Sequence, residues 1–523
     1  MADSELVEEI KSILDTPRAD FQARVEDEAE VLKAEVNDGT FDNSEGLVGL
    51  EYECYAVRGQ DPMSTGGTNR PRGAGTLCRV PRRTLSFTGF EKELGLHNAE
   101  MRTSPQPHNQ YGLSAQGDEV RGRLAMVRRA VLPNDIRLVS DGLWTIPPVG
   151  ETAKEYLLDA IEIDSVTLAA NMSESARYHA MANTGYDIGM RLDAPHVSLQ
   201  AETIMPESLI TSIQPHYQVP RAEALPEYFR YALRLAGPLL ALGVNSPLFP
   251  PDLYDDGVDP ASVFDDAHHE HRIGVFESVL NGDQVRKVRF PRDIASTEEA
   301  IERIAADETF VPQLRDRTGR FDDRFRHLRH KHGTYWRWVR PVFDGRTEAS
   351  ANARIEFRPL PGQPTVRDSV SLQAAFTGAL VGLYARQHPV RELSWSDAKE
   401  NFYAAMRDGL DAELTWITAD GGRTTELDAL YDDLLEHVEA GLREQLLPDE
   451  RVDEYVAPLR DRIRRRRTPA SWKLDIARTS VEAGASLEEA IEAAQRSYLE
   501  QQWETLLEGS FVTWPESTTL ATN

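Results

Sequence analysis

Four short segments of this 523-residue chain alternate apolar and polar side chains, and this pattern constrains the fold more than any other feature. They lie at residues 49–57, 96–103, 194–200 and 352–359. Alternation with a period of two is typical of a β-strand that has one face in the core and the other outside it. We therefore expect four strands whose polar faces are known residue by residue. Each face taken alone could be an ordinary solvent-facing surface.

The polar faces of these segments carry most of the candidate chemistry. They present Glu51 and Glu53; Asn98, Glu100 and Arg102; His196, Ser198 and Gln200; and Arg354, Glu356 and Arg358. If the strands are neighbours, four glutamates are crowded together, and such groups stay ionised only when cations neutralise them. Mg²⁺ binds carboxylate and phosphate oxygens together, while arginine forks onto phosphate. The pattern indicates metal-assisted phosphoryl transfer.

The charge balance limits the possible partners. The chain has 58 Lys and Arg against 86 Asp and Glu, a formal charge of −28. This excess of acid argues against nucleic acid or an anionic membrane as the main partner. There are eight lysines and 50 arginines. A lysine-poor, acidic surface is typical of a protein kept soluble in concentrated salt, where screening weakens self-repulsion. We expect a salt-adapted, cytoplasmic protein.

The arrangement along the chain predicts three regions. Residues 1–44 read as a helical segment, 45–392 as an α+β catalytic domain, and 393–523 as a helical region packed on that domain. A long loop is expected at 58–83, as a solvated insertion or a mobile cover over the site. The first residues lack a signal-peptide pattern, and the most apolar stretch, 231–244, is too short to span a bilayer. Two cysteines are too few for a disulfide or zinc framework.

Seven motifs together resemble the glutamate-cysteine ligases and related carboxylate-amine ligases, which share the catalytic fold of glutamine synthetase. In chain order they are GLEYE at 49–53, ELGLHNAEMRTSP at 93–105, HVSLQ at 196–200, LLALGVNSPLF at 239–249, TYWRWVRP at 334–341, RIEFRP at 354–359 and MRDGLDAEL at 406–414. The resemblance implies an antiparallel sheet curved into a half-barrel funnel, flanked by helices, with ATP and two or three Mg²⁺ ions at its centre.

The resemblance also implies roles for individual residues. The metal ligands by motif position are Glu51, Glu53, Glu93, Glu100, His196 and Glu356. Glu93 lies seven residues before Glu100, so a regular strand would place the two on opposite faces, and a bulge or bend near Gly95 is needed to bring them together. Without that bend Glu93 is a surface carboxylate.

Three arginines and two polar residues complete the implied site. Arg358 would reach the transferred phosphoryl group and contact ATP. Arg340 and Arg272 match family positions near substrate and phosphate, although either could instead form a structural ion pair. Ser198 and Gln200 share the face of His196 and are expected to contact the nucleotide.

The expected reaction is ATP-dependent formation of a γ-glutamyl amide through an acyl phosphate, with glutamate and cysteine as substrates. Three alternatives remain open at this point: a ligase of the same fold with another amine, a catalytically silent relative that serves as a binding partner, and a metal-dependent hydrolase. The sequence does not predict the oligomeric state.

Overall fold

The computed structural model describes residues 2–59 and 75–516. Most of the predicted loop at 58–83 lies outside these residues. The strands are β1 (Leu47–Arg58), β2 (Glu91–Lys92), β3 (Asn98–Arg102), β4 (Gln106–Pro107), β5 (Ile136–Val139), β6 (Ala160–Ile163), β7 (Val166–Ala169), β8 (Arg191–Ala194), β9 (Val197–Gln200), β10 (Ile213–Gln218), β11 (Val339–Asp344), β12 (Asn352–Phe357), β13 (Trp416–Ile417) and β14 (Arg423–Thr424).

Helices make up much of the rest of the chain. They are α1 (Ala2–Leu14), α2 (Arg18–Asn37), α3 (Arg82–Phe87), α4 (Gln110–Val131), α5 (Ala153–Leu158), α6 (Ala176–Asn183), α7 (Leu225–Gly243), α8 (Pro260–Asp265), α9 (His271–Leu280), α10 (Thr297–Ala305), α11 (Arg326–His332), α12 (Val366–Ala385), α13 (Trp395–Asp408), α14 (Leu427–Glu444), α15 (Asp449–Arg465), α16 (Pro469–Glu482) and α17 (Leu487–Thr505). None of these described helices combines the length and apolar character needed to cross a bilayer.

The centre of the fold is an eight-stranded sheet that curls into a half-barrel. Its order is β11-β12-β10-β1-β3-β2, with β4 and β5 also pairing with β1, and every pairing is antiparallel. Strand β1 alternates as the sequence predicts: Leu50, Tyr52 and Cys54 are buried on the outer face. The predicted fold class, an α+β chain built on a curved antiparallel sheet, is confirmed.

Helices α4, α7 and α12 cover the outer face of the sheet. Helix α12 is buried along almost its whole length, because the sheet packs on one side of it and α14 on the other. Phe376 of α12 stacks on Phe357 of β12 with ring centroids 4.3 Å apart. Gln373 donates a 3.1 Å hydrogen bond to the carbonyl of Gly49 in β1. These contacts hold β1 and β12 against α12 on the outer face, and so fix the positions of the side chains on the inner face.

Helices α12 and α14 approach each other through glycines. A Cβ atom on Gly441 of α14 would lie closer to the carbonyl oxygen of Gly378 in α12 than real Cβ contacts allow. The same holds for Gly382 against the carbonyl of His437. Glycine is therefore required at this crossing, since any side chain would force the helices apart.

The last helices are tied into the sheet by buried polar groups. Lys473 of α16 forms an ion pair with Asp141, and both side chains are buried. The carboxylate of Asp141 also accepts from the hydroxyl of Tyr55 in β1 at 3.2 Å and from Gln495 of α17 at 3.0 Å. The C-terminal helices thus supply the cation that neutralises a carboxylate beside the central strand.

Candidate active site

Strand β1 places two carboxylates on the inner face of the sheet. Glu51 and Glu53 point there, because the intervening Tyr52 is fully buried on the outer face. The antiparallel register with β3 sets Glu53 opposite Glu100 and Glu51 opposite Arg102. The backbone alone therefore brings three glutamates and one arginine together.

Arg102 partly compensates the negative charge. Its guanidinium lies 3.1 Å from Glu51, 3.0 Å from Glu91 and 3.1 Å from Glu100. One arginine shared among three carboxylates leaves an excess of negative charge. Burial, followed by repulsion from Glu51, raises the pKa of Glu100 well above its usual value.

Glu53 is held firmly by neighbouring donors. Its carboxylate accepts from the backbone N–H of Ser212 at 2.7 Å and from the side chain of Gln214 at 2.8 Å. Burial and then repulsion from Glu93 nevertheless raise the pKa of Glu53 to about 7. A cation at this position would remove the conflict.

Glu93 faces this cluster. Strands β2 and β3 form a hairpin, so residues 93–97 are its turn, and a pair of 3.0 Å hydrogen bonds between Gly95 and Asn98 holds the bend. The required bend near Gly95 is therefore present. The hydroxyl of Tyr178 donates to Glu93 at 3.1 Å, and burial raises the pKa of Glu93.

The opposite side of the inner face is organised around Glu356 of β12. Arg340 lies 2.9 Å and Arg358 2.6 Å from its carboxylate. Burial alone would raise the pKa of Glu356, but these two guanidinium groups and His216 hold it well below its usual value. The two guanidinium groups therefore favour the ionised form of Glu356.

Among the described residues, Glu51, His216 and Glu356 form one of two groups in which three metal-ligating atoms lie within 4.8 Å of one another. The Nε2 atom of His216 is buried without a hydrogen-bond partner and lies 3.6 Å from Glu51. The side chain of Arg354 donates to Nδ1 of His216 at 3.1 Å, so Nε2 carries the ring proton in this arrangement. A cation at Nε2 therefore requires the side chain of Arg354 to release Nδ1 and the ring proton to move there.

The second group consists of His388, Asp433 and His437, and its hydrogen bonds oppose metal binding. A backbone N–H, that of Val390, donates to Nδ1 of His388 at 3.1 Å, so Nε2 holds the proton and the donor cannot swing away. The carboxylate of Asp433 already accepts from Trp416 at 2.7 Å. This group is a buried polar junction between helices.

The inner face fits Mg²⁺ and phosphate in its donor chemistry. Its ligating atoms are mainly carboxylate oxygens, which hard divalent cations prefer. The Nε atoms of Arg340 and Arg358 are buried and have no hydrogen-bond partner within the described chain. Buried, unsatisfied guanidinium N–H groups are costly unless an anion occupies the space before them.

The structure does not bring His196, Ser198 and Gln200 to this site. Strand β9 pairs with β8 in a separate two-stranded sheet, so this segment is not a neighbour of the strands that carry the glutamates. The main sheet therefore gives no support to the metal role implied for His196 or to the nucleotide contacts expected of Ser198 and Gln200. His196 sits in the hairpin turn with a φ of 59°, and its Nε2 lies 2.8 Å from Asp266. Gln200 donates to the carbonyls that flank its own hairpin. A four-residue strand offers too little alternation to reveal its partner.

Arg272 contacts the backbone beneath the site. Its guanidinium donates to the carbonyls of Arg358, at 3.2 Å, and of Pro359, and pairs with buried Glu270 at 3.2 Å. Arg272 therefore positions Arg358 through the main chain, as the structural alternative in the sequence analysis allowed.

Sequence reasoning missed strand β10, which lies between β1 and β12 and contributes Gln214 and His216. Its side chains do alternate, but Pro215 lies in the middle, and proline argues against a central strand because it lacks an N–H. Glu207 was also missed. It stands just before β10, and burial followed by repulsion from Glu93 raises its pKa well above the usual value.

The fold is similar to that of a solved structure. Glutamate-cysteine ligase from Francisella tularensis, solved in complex with AMP, matches 92% of this chain and 93% of its own length, with 14% identity and a TM-score of 0.51. A bifunctional glutathione synthetase from Pasteurella multocida matches 91% of this chain and 55% of its own, with 12% identity and a TM-score of 0.47. No curated protein sequence gives a significant match.

The sequence places the chain within a family. The model of glutamate-cysteine ligase family 2 matches residues 47–500, from the first residue of β1 to within α17. The chain belongs to this family and is a ligase, as the motifs indicated.

Proposed function

We propose that this protein is a glutamate-cysteine ligase, which uses ATP to join the γ-carboxylate of glutamate to the amine of cysteine. The observation that carries the proposal is the inner face of the sheet, where ionised Glu356 and its two arginines stand beside carboxylates whose pKa values are raised. This arrangement suits a reaction that brings polyphosphate and metal together in a buried, negatively charged site.

Two sets of residues would hold Mg²⁺. The proposed ligands are Glu51, His216 and Glu356 for one ion, and Glu53, Glu93 and Glu100 for a second. Bound Mg²⁺ would neutralise the carboxylates and the phosphate oxygens of ATP. His216 takes the place that the sequence analysis gave to His196, because it lies in the main sheet.

Arg358 and Arg340 would hold the transferred phosphoryl group. In the first step an oxygen of the glutamate γ-carboxylate forms a bond to the γ-phosphorus, the bond to the β-phosphate oxygen breaks, and ADP leaves. The free Nε donors of both arginines suit the negative charge that the phosphoryl oxygens carry. In the second step the amine attacks the acyl carbon, phosphate leaves, and the nitrogen loses a proton.

Positioning explains most of the proposed catalysis. The side chain of Gln214 accepts a 2.6 Å hydrogen bond from the guanidinium of Arg358. Arg272 donates to the backbone carbonyl of Arg358, so both the side chain and the main chain of Arg358 are held in place. Pre-organised charge of this kind costs no reorganisation during the reaction. We place the reaction in the cytoplasm, where the free thiols of Cys54 and Cys78 remain reduced.

ADP release tests the proposal directly. The purified chain is supplied with Mg²⁺, ATP and glutamate in concentrated KCl, and ADP is measured with a panel of amino acids and amines that includes cysteine. We expect cysteine to give the fastest release, with γ-glutamylcysteine as product. ADP release with another amine in preference to cysteine would keep the ligase chemistry and change the acceptor. Absence of ADP with every amine contradicts the proposal.

A further inference from the structure

A second charged site lies outside the carboxylate cluster. A cavity of about 810 Å³ opens between the end of α9, the segment 281–292, the end of α10 and the start of α13. Seven of its lining residues are arginine or lysine and three are acidic. The whole chain has the opposite balance, 58 basic residues to 86 acidic ones. A basic cavity in so acidic a protein needs a physical reason.

Two of the three acidic residues of this basic cavity are already neutralised or held, while the third, Glu308, is exposed to solvent. Asp307 forms ion pairs with Lys287 and with Arg337, the latter at 2.7 Å, and these two cations are buried. Glu277 accepts from the indole of Trp338 at 2.7 Å and from the hydroxyl of Tyr403 at 2.8 Å. Their negative charge is therefore used within the wall.

Four cations in the wall have no carboxylate partner. Arg286, Arg289, Arg292 and Lys399 form no ion pair within 4 Å with any described residue. Each keeps part of its surface open to solvent, although the guanidinium of Arg289 is partly shielded by the cavity wall. The pKa of Arg289 is lowered, first by burial and then by repulsion from Arg337. Cations that line one cavity repel one another, and an anion bound among them would offset that repulsion.

Aromatic rings hold two of these cations in place. The guanidinium of Arg292 lies 4.3 Å and the ammonium of Lys399 5.5 Å from the ring centroid of Trp395. Both contacts are within the range of cation–π attraction. Because Arg292 and Lys399 already lie over the ring of Trp395, we expect this ring not to stack on a nucleotide base. The cavity should therefore recognise its ligand by charge.

The basic cavity is separate from the carboxylate cluster. None of its lining residues belongs to that cluster. Trp338 stands between the two sites: its indole N–H donates to Glu277 on the cavity side, and Arg272 lies over its ring at 5.3 Å.

We propose that the basic cavity binds a small oligophosphate anion, independently of catalysis and of Mg²⁺. Arginine forks match phosphate oxygens, and four free cations around one cavity suit a ligand with several phosphates. A volume of this size is typical of small-molecule sites. The shared chemistry is the oligophosphate group, which a free oligophosphate or a nucleotide can supply.

Isothermal titration with inorganic tripolyphosphate tests the proposal. EDTA is present throughout, so that turnover is blocked, and KCl is kept at the lowest concentration at which circular dichroism shows a folded protein, because salt screens the interaction. The test variant carries Arg289→Gln, Arg292→Gln and Lys399→Gln. The matched control carries Arg24→Gln, Arg129→Gln and Lys154→Gln, which remove the same charge from exposed positions away from the cavity.

We expect one tripolyphosphate per chain for the native protein and the control, and at least about tenfold weaker binding for the test variant. Absence of binding by the native protein, or equal loss in both variants, overturns the proposal. A second titration with ATP in EDTA identifies the source of the ligand. Equal affinities for ATP and tripolyphosphate indicate a free oligophosphate, and tighter ATP binding that the test variant loses indicates a nucleotide.

Discussion

Glu53 on β1 lies directly opposite Glu100 on β3, so two carboxylates occupy a cross-strand pair on the inner face of the sheet. Like charges directly opposite each other destabilise a sheet. The pKa of both groups is raised, with burial as the first cause. A cation bound beside this pair would relieve the repulsion, and its stabilising effect on the folded protein can be measured.

The Glu100→Gln substitution should remove one charge of this pair while keeping its shape. We expect the catalytic rate to fall about 100-fold or more, because a charge that positions metal and phosphate is lost. Mg²⁺ should raise the melting temperature of the native protein through binding to the folded state, and this increase should shrink in the variant. Glu91→Gln is the control, since Glu91 of β2 pairs with Glu100 of β3 but its side chain is exposed. Full activity in Glu100→Gln would disprove the metal proposal.

Two histidine variants distinguish the structural site from the one the motifs implied. His216→Asn should lower the rate roughly 100-fold or more, because a ligating nitrogen in the main sheet is lost. His196→Asn should stay close to the native rate, because His196 lies in a separate hairpin beside Asp266. Steady-state rates at saturating ATP and glutamate provide the comparison. The reverse order of the two rates would restore the motif assignment.

Arg358→Lys should lower kcat by about 100-fold while changing KM much less. Lysine keeps the charge but has one nitrogen in place of the planar fork, so a lysine that contacts Gln214 and Glu356 has no second nitrogen to direct at the phosphoryl group. Circular dichroism checks that the fold is intact. An unchanged kcat would show that Arg358 serves the ion pair with Glu356 alone.

Acid should destabilise the protein through His108. Burial lowers its pKa to about 3 from an unfolded value of 6.5, and both ring nitrogens lack a partner in the described structure. Because the folded-state pKa is depressed, the unfolded chain alone takes up the proton as the pH falls below 6.5. Stability is therefore lost between pH 6.5 and about 3. At pH 5 this group should cost roughly 2 kcal/mol relative to pH 7.

The His108→Leu variant isolates this effect from the other buried histidines. Denaturant unfolding at pH 7 and pH 5 gives the free energy of unfolding for both proteins. We expect the drop between the two pH values to be smaller in the variant by roughly 2 kcal/mol. Identical drops would mean that His108 is not buried as a neutral ring.

The glycine crossing of α12 and α14 predicts a strong effect from one methyl group. Gly441→Ala should lower the free energy of unfolding by about 2–3 kcal/mol, because its Cβ would overlap the carbonyl of Gly378. Gly122→Ala in α4 is the control, since its Cβ would meet nothing within 4 Å. The control should gain about 0.5–1 kcal/mol from helix propensity. A tolerated Gly441→Ala would imply that the two helices can separate.

Each of the four alternating segments in the sequence contains a strand, namely β1, β3, β9 and β12. Strand β1, with its run from Leu50 to Cys54, and β12, around Ile355, have apolar faces that match the buried side of the sheet. The alternation alone therefore predicted that the glutamates of these two strands lie on the face opposite the apolar one. Strand β10 was hidden by Pro215, which lies opposite Leu50 of β1 but just before the pairing with β12 begins at His216.

Spatial neighbours decided the remaining assignments. Whether His196 or His216 lies beside Glu51 depends on strand order, which alternation does not encode. Arg272 binds carbonyl oxygens, and no side-chain pattern records the position of a carbonyl. The family motifs predicted the fold and most of the site's carboxylates. Which side chain lies beside each carboxylate became known only from the pairing of the strands in the structure.

The ion pair between Asp141 and Lys473 spans 332 residues of sequence. During synthesis, Asp141 emerges from the ribosome long before the lysine that neutralises it. We therefore expect the carboxylate of Asp141 to become fully buried only after α16 has been synthesised. Native folding is completed late, as the last helices dock, and a chain shortened before residue 473 would retain the motifs of the family without a balanced core.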